Sequence, residues 1–205
     1  MNLADQYREQ VQRTKAYENT LKKGVVGYKE RNEEKREKFK IDLDKISKIA
    51  PIVYLDETGI EDHTCFRSHA WSKVGEKITI LRSGKRIKRT NVVAAIYNNK
   101  VIAPFSYSWS TTADWFDVWF EWHLCPFLPS NSVIVMDNAP FHRKNTLEKI
   151  AMSYNFKILW LPPYSPDLNP IEHLWANLKR WLCHFSYDNH SIKDHIANFF
   201  SSKLF

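Results

Sequence analysis

The chain has 205 residues, of which 43% are hydrophobic and 14% aromatic, ample for a packed core and enough to exclude an intrinsically disordered chain. Its formal net charge of +7 favours a polyanionic partner, although taken alone that is a modest signal. Three widely spaced cysteines, Cys65, Cys125 and Cys183, speak against a disulfide framework and suit a reducing cytosol.

Met1 opens a polar, charged stretch with no visible signal peptide or membrane span, so a soluble intracellular protein is expected. Residues 1–50 hold 13 lysines and arginines, 9 acids and no proline. Within them, 31–38 predicts a solvated helix of alternating charge. Phe39, Leu43, Ile46 and Ile49–Ala50 add an apolar stripe able to dock on the domain behind it. Pro51 closes this arm, and 51–205 reads as one globular domain.

That domain begins with a short buried strand, Ile52–Leu55. Phe66–Trp71 and Ile78–Leu81 are further strand candidates, followed by a Ser83-Gly84 turn. Asn91–Tyr97 and Val101–Phe105 then form a hairpin about Asn98-Asn99. Thr111-Thr112-Ala113-Asp114 fits a capping box for a helix over Trp115–Leu124. Trp115, Trp119 and Trp122 recur at helical spacing and are assigned to the core. A strand at Val133–Met136, a helix at Thr146–Tyr154, a strand at Phe156–Leu161 and a helix at Pro170–His184 complete the order. This β-β-β-α-β-α-β-α succession predicts an α/β, RNase H-like mixed sheet with helices on both faces, preceded by a charged helical arm.

Three acids stand out. Asp56 ends the run Ile52–Leu55, Asp137 ends Val133–Met136, and Glu172 opens the last helix after the rigid loop 161–170. Acids at strand ends and a helix start meet only if the sheet folds them together. Such a cluster suits hard divalent cations and phosphoryl transfer. The residues alone leave other readings open. Asp137-Asn138 also suits a turn. Asn169, Pro170 and Glu172 also spell a helix cap, with the glutamate satisfying its own helix. Asp56 and Glu57 point to opposite faces of a strand, so only one of them is expected to join Asp137.

Asp56, Asp137 and Glu172, the last two with 34 residues between them, resemble the DDE triad of the mariner superfamily, in particular its bacterial insertion-sequence transposases. The phrases that carry the resemblance are Leu55-Asp56-Glu57-Thr58-Gly59, Asp137-Asn138-Ala139-Pro140-Phe141-His142 and the long Pro162-Pro163-Tyr164-Ser165-Pro166-Asp167-Leu168-Asn169-Pro170-Ile171-Glu172-His173-Leu174-Trp175. The likeness runs from about Tyr28 to about Cys183. It implies a metal-dependent transposase in which Asp56, Asp137 and Glu172 are the catalytic residues and hold two Mg²⁺ ions, with Mn²⁺ as substitute. It further implies cleavage at element ends, then strand transfer into a TA target, by a homodimer on DNA. Terminal inverted repeats and target DNA would be the partners, in a bacterial cytoplasm and at its nucleoid.

Glu57 is then a supporting or surface group. His142 either touches substrate, orients a ligand or bonds its own loop. His173 is expected to face away from the buried stripe, and His63-x-Cys65 and His123-x-Cys125 lack zinc spacing. Arg82, Lys85, Arg86, Lys88 and Arg89 place five cations in eight positions, suited to DNA phosphates or to a charged sheet edge. Residues 1–27 show no helix-turn-helix of the kind that reads terminal repeats. Either an upstream reading frame supplies one or the copy is truncated. The alternatives are a non-transposing DNA-binding remnant and an RNase H-like nuclease acting on RNA–DNA hybrids.

Overall fold

The computed structural model describes residues 30–61, 89–184 and 191–202. Five strands form one sheet in the order β3-β2-β1-β4-β5. They are β1 (Ile52–Glu61), β2 (Arg89–Tyr97), β3 (Lys100–Tyr107), β4 (Val133–Met136) and β5 (Lys157–Trp160). The hairpin half, β1-β2-β3, is antiparallel, whereas β4 and β5 run parallel to β1. Asn98 and Asn99 both take positive φ at the β2–β3 turn, a conformation asparagine tolerates well.

Helices α2 (Ala113–Trp119) and α3 (Lys144–Ser153) cover one face. Their core joins Val53, Leu55, Val93 and Ile134 to Phe116, Trp119, Leu147 and Ala151. Helices α4 (Ile171–Leu182) and α5 (Ile192–Ser201) cover the other, where Ile60, Val92 and Ala94 meet Leu174, Trp175, Leu178 and Phe199. The mixed RNase H-like sheet with helices on both faces is thus as expected.

Three expected elements change. Strand β1 runs on past Leu55, because β2 pairs with it as far as Glu61. The predicted strands Phe66–Trp71 and Ile78–Leu81 lie outside the described residues. The helix after Thr112 is α only to Trp119, then π over Phe120–Leu124 and 3₁₀ over Cys125–Phe127. Thr112 does cap it, accepting from the Trp115 N–H, but Asp114 turns to Arg143 instead of completing a capping box. The i→i+5 turn advances the phase of the helix, so Phe120 and Leu124 go inside while Trp122 is 66% exposed. Trp122 is therefore not core, whereas Trp119 is. Helix α5 has no counterpart in the sequence reading, although Ser191 and Asp194 form a complete capping box ahead of Ile192, Ile196 and Phe199.

Helix α1 (Glu33–Ser47) docks through Phe39 against Val135 and Leu161. Ile49, assigned to the same apolar stripe, is instead exposed. The charged stretch before it is not wholly solvated either: the Arg36 side chain is only 2% exposed. Its guanidinium donates twice to Asp167, at 3.0 and 2.7 Å, which raises the arginine pKa and lowers that of the acid. Asp167 is half exposed, so the penalty for breaking a deeply buried pair is discounted. Asp167→Ala is expected to cost about 1–2 kcal/mol and to lower Tm by roughly 2–8 °C in a thermal melt. An unchanged Tm would show that the pair does not fasten the arm.

Candidate active site

The parallel register of β1 and β4 assembles the centre of the site. Tyr54 is opposite Val135, so two residues further along the same ladder Asp56 comes beside Asp137. Asp56 is mid-strand, contrary to expectation, but lies just beyond the point where β4 stops pairing. Asp137 leaves the sheet there, and its Oδ1 accepts from the Ala139 N–H at 3.1 Å. The turn geometry expected of Asp137-Asn138 is therefore real and coexists with a half-exposed carboxylate.

Glu172 arrives from the opposite side, in the first turn of α4. The helix-cap reading of this glutamate fails, because the Asn169 side chain donates to the Leu55 carbonyl of β1 at 3.2 Å and does not cap α4. The same bond ties the proline-rich loop to the strand that carries Asp56. Glu172 and His173 are both exposed, and Ile171, Leu174 and Trp175 form the buried face.

Asp56, Asp137 and Glu172 line one cavity of about 510 Å³, walled by Asn138, Asn169 and the loop from Leu161 to Pro166. A larger one, about 650 Å³, lies between the end of α1 and the β2–β3 turn and contains none of the expected site residues. Within the first cavity, burial pushes the Asp56 carboxyl up to about 8, reinforced by Glu57, Glu172 and Asp137 and opposed by the Trp175 N–H, which donates to Oδ2 at 2.9 Å. An acid kept from ionising by burial and by three acidic neighbours is a site short of positive charge. Three carboxylates sharing such a cavity form an all-oxygen donor set that fits a hard divalent cation.

Glu57 and His142 meet behind the cavity. Glu57 points to the opposite face of β1 from Asp56, yet does not leave the neighbourhood of Asp137. His142 bridges them: its Nε2 is 3.3 Å from Glu57 Oε1, and its Nδ1 is 3.2 Å from Asp137 Oδ1 and 3.1 Å from the Asp137 carbonyl. One ligand-type atom from each of Glu57, Asp137 and His142 lies within 4.8 Å of the others. Burial lowers the imidazole pKa, but the bonds to Asp137 and Glu57 outweigh it and hold the group at about 9. Burial likewise raises Glu57. Asp56 shares the cavity with Asp137, whereas Glu57 reaches it only through His142 from the other face, the supporting place expected of it. With a side chain 1% exposed, His142 is not placed to touch a substrate.

Of the five clustered cations, Arg82, Lys85, Arg86 and Lys88 lie outside the described residues. Arg89 opens β2, opposite Glu61, and its guanidinium lies over Gly59, where a Cβ would collide with it. None of the helices among the described residues is long and apolar enough to cross a membrane.

Solved structures share the architecture. The Mos1 strand transfer complex aligns with a TM-score of 0.74 at 21% identity, covering 96% of this chain and 62% of that one. The Mos1 mariner paired end complex with Mn gives 0.73 at 21%, covering 98% and 66%. The catalytic domain of Mos1 mariner transposase gives 0.59 at 19%, covering 88% and 86%. At these identities the likeness establishes the fold alone. An uncharacterised protein of Sinorhizobium fredii, y4pE/y4sA, is 33% identical over 54 residues, 26% of this chain and 38% of that protein. The chain thus spans less than two thirds of the curated relative and of the Mos1 chains in the two complexes. Residues 51–193 match the family described as DDE superfamily endonuclease, about 70% of the chain. The chain belongs to that family.

Proposed function

We propose that this is the catalytic domain of a DNA transposase, with Asp56, Asp137 and Glu172 as its catalytic and metal-binding acids. The observation that carries the reading is the meeting of these three carboxylates, from three separate elements, in one cavity. They would hold two Mg²⁺ ions, or Mn²⁺ in their place. Bound cations supply activation of the attacking oxygen and stabilisation of charge on the leaving 3′ oxygen. The protein supplies placement. Trp175 fixes one oxygen of Asp56, Ala139 fixes one oxygen of Asp137, and Asn169 ties the loop ahead of Glu172 to β1. The reaction would be in-line displacement at phosphorus, first by water at the element ends and then by a DNA 3′-hydroxyl at a target, without a covalent enzyme intermediate. The likeness to Mos1 complexes with a transposon end supports DNA as substrate.

The test is nicking and strand transfer on a duplex bearing the ends of the encoding element, in Mg²⁺ or Mn²⁺ against EDTA. It is run with and without any helix-turn-helix segment encoded upstream, and alongside an RNA–DNA hybrid. Metal-dependent cleavage of the DNA duplex is expected. Cleavage of the hybrid alone would make the protein an RNase H-like nuclease, and no cleavage would make it a DNA-binding remnant. A homodimer assembled on element ends at the bacterial nucleoid belongs to the same proposal.

Arg82, Lys85, Arg86, Lys88 and Arg89 would grip DNA phosphates. If all five do so, they contribute about −4.5 to the slope of log affinity against log salt, at roughly −0.9 per contact. Replacing all five by alanine is expected to flatten the slope by about that amount on any duplex sequence, as read by fluorescence anisotropy. An unchanged slope would reduce the run to a solvated edge.

A further inference from the structure

Asp56 and Glu57 are neighbours on β1 whose side chains leave the strand on opposite faces. Asp56 opens into the cavity beside Glu172, whereas Glu57 enters the face covered by α2 and α3. A carboxylate on that apolar face is costly unless it is paired. It has a partner in His142, a side chain packed against Phe116 and Phe141, each with its ring centroid 4.4 Å away. The ring's other nitrogen faces Asp137. Two strands that meet at the site are therefore bridged behind it by one buried imidazole. The Ala139 N–H donates to Asp137 Oδ1, His142 Nδ1 lies 3.2 Å from that same oxygen and 3.1 Å from the Asp137 carbonyl, and the carboxylate is half exposed.

We propose that His142, backed by Glu57, is a positioning residue that fixes the Asp137 carboxylate for divalent-cation binding. The inference rests on the reading of Asp56, Asp137 and Glu172 as metal ligands. The ring is restrained from turning, because both nitrogens face polar partners and Phe116 (tilted 40°) and Phe141 (edge-on at 75°) pack against it. Asp137 is thereby deprived of the rotamer freedom that a half-exposed aspartate would otherwise give up on binding a cation. Supports of this kind, a carboxylate holding a histidine that holds a ligand, are worth about 10–100-fold in metal affinity or activity.

The experiment is a direct Mn²⁺ titration of the free protein, with unbound Mn²⁺ read by electron paramagnetic resonance, followed by the Mn²⁺ dependence of nicking. Four variants are compared. His142→Phe fills the aromatic slot without either nitrogen. His142→Asn places an amide N–H where Nδ1 stands and gives up Glu57. Glu57→Gln keeps the shape and loses the charge. Asp137→Asn removes the ligand itself. The proposal expects His142→Phe to weaken Mn²⁺ binding by about 10–100-fold, with nicking largely recovered at saturating Mn²⁺. His142→Asn should stay within a few-fold of the parent, and Glu57→Gln should fall between the two.

Parental affinity in a folded His142→Phe would overturn the proposal, as would equal losses in the Phe and Asn variants. If His142→Phe does not fold, parental affinity in Glu57→Gln overturns it instead. The underlying reading fails separately, through a parent that binds no Mn²⁺ or an Asp137→Asn variant that binds it as the parent does.

Discussion

Metal-dependent nicking is expected to fall on the order of a thousandfold in each of Asp56→Asn, Asp137→Asn and Glu172→Gln, with duplex affinity little changed. Each substitution keeps the shape of its side chain and, on the proposed reading, would remove a hard anionic ligand from an all-oxygen set. The three should not behave alike in other respects. Asp137 and Glu172 border solvent, so their amides add no buried polar group. Asp56 accepts from the Trp175 N–H, and an asparagine there can keep that bond through its carbonyl oxygen. All three variants should therefore fold, which is checked by circular dichroism before activity is read. Near-parental nicking by any one of them would remove that residue from the site. A shared loss of DNA affinity would instead assign the cluster a role in binding.

Much of this arrangement can be read from residue order because it depends on local rules. An apolar run ending in an acid, twice over, marks the neighbouring strands β1 and β4, and the prolines in the loop 162–170 mark a stiff approach to α4. Their meeting is a matter of register, since the β1–β4 ladder brings Asp56 level with Asp137, and register is a property of the folded sheet. Strand alternation tells that Asp56 and Glu57 diverge. It cannot tell that His142 closes the circuit from behind, because a histidine five residues after a strand is a loop residue until its neighbours are known. Arg36 was hidden for a similar reason. Its surroundings in sequence are all charged, and only contact with Asp167, 131 residues away, explains its burial. Trp122 went astray because a π turn breaks the 3.6-residue period on which its assignment rested.

Without divalent cations, the folded protein is expected to lose stability as pH rises from about 4 to 8, and Asp56→Asn should remove most of that loss. Burial and three acidic neighbours move the Asp56 carboxyl from its ordinary 3.8 up to about 8. A carboxyl raised in the folded state holds its proton there after the unfolded chain has released it. Below pH 4 both states are protonated and the group has no net effect. Between 4 and 8 the unfolded chain alone gains from ionising, so stability drains away. Above 8 the loss is complete. An acid moved this far has its charged form destabilised by on the order of 5 kcal/mol, an upper limit because water entry and relaxation soften burial. Glu57, also raised by burial, and His142, raised by its bonds to Asp137 and Glu57, add losses in the same direction, the latter only above about 6.5. A cation bound by the native state reverses the trend by mass action. At pH 8, Mn²⁺ should therefore raise Tm by more than it does at pH 5, where it must displace a proton from Asp56 before binding. Calcium should stabilise as well while supporting little chemistry, since its looser coordination suits binding better than in-line transfer. Thermal melts across this pH range, in EDTA and in millimolar Mn²⁺, read both effects. A parent whose Tm in EDTA is flat from pH 4 to 8, or an Asp56→Asn variant that falls as steeply as the parent, would show that Asp56 is not the buried acid whose charge the site is built to neutralise.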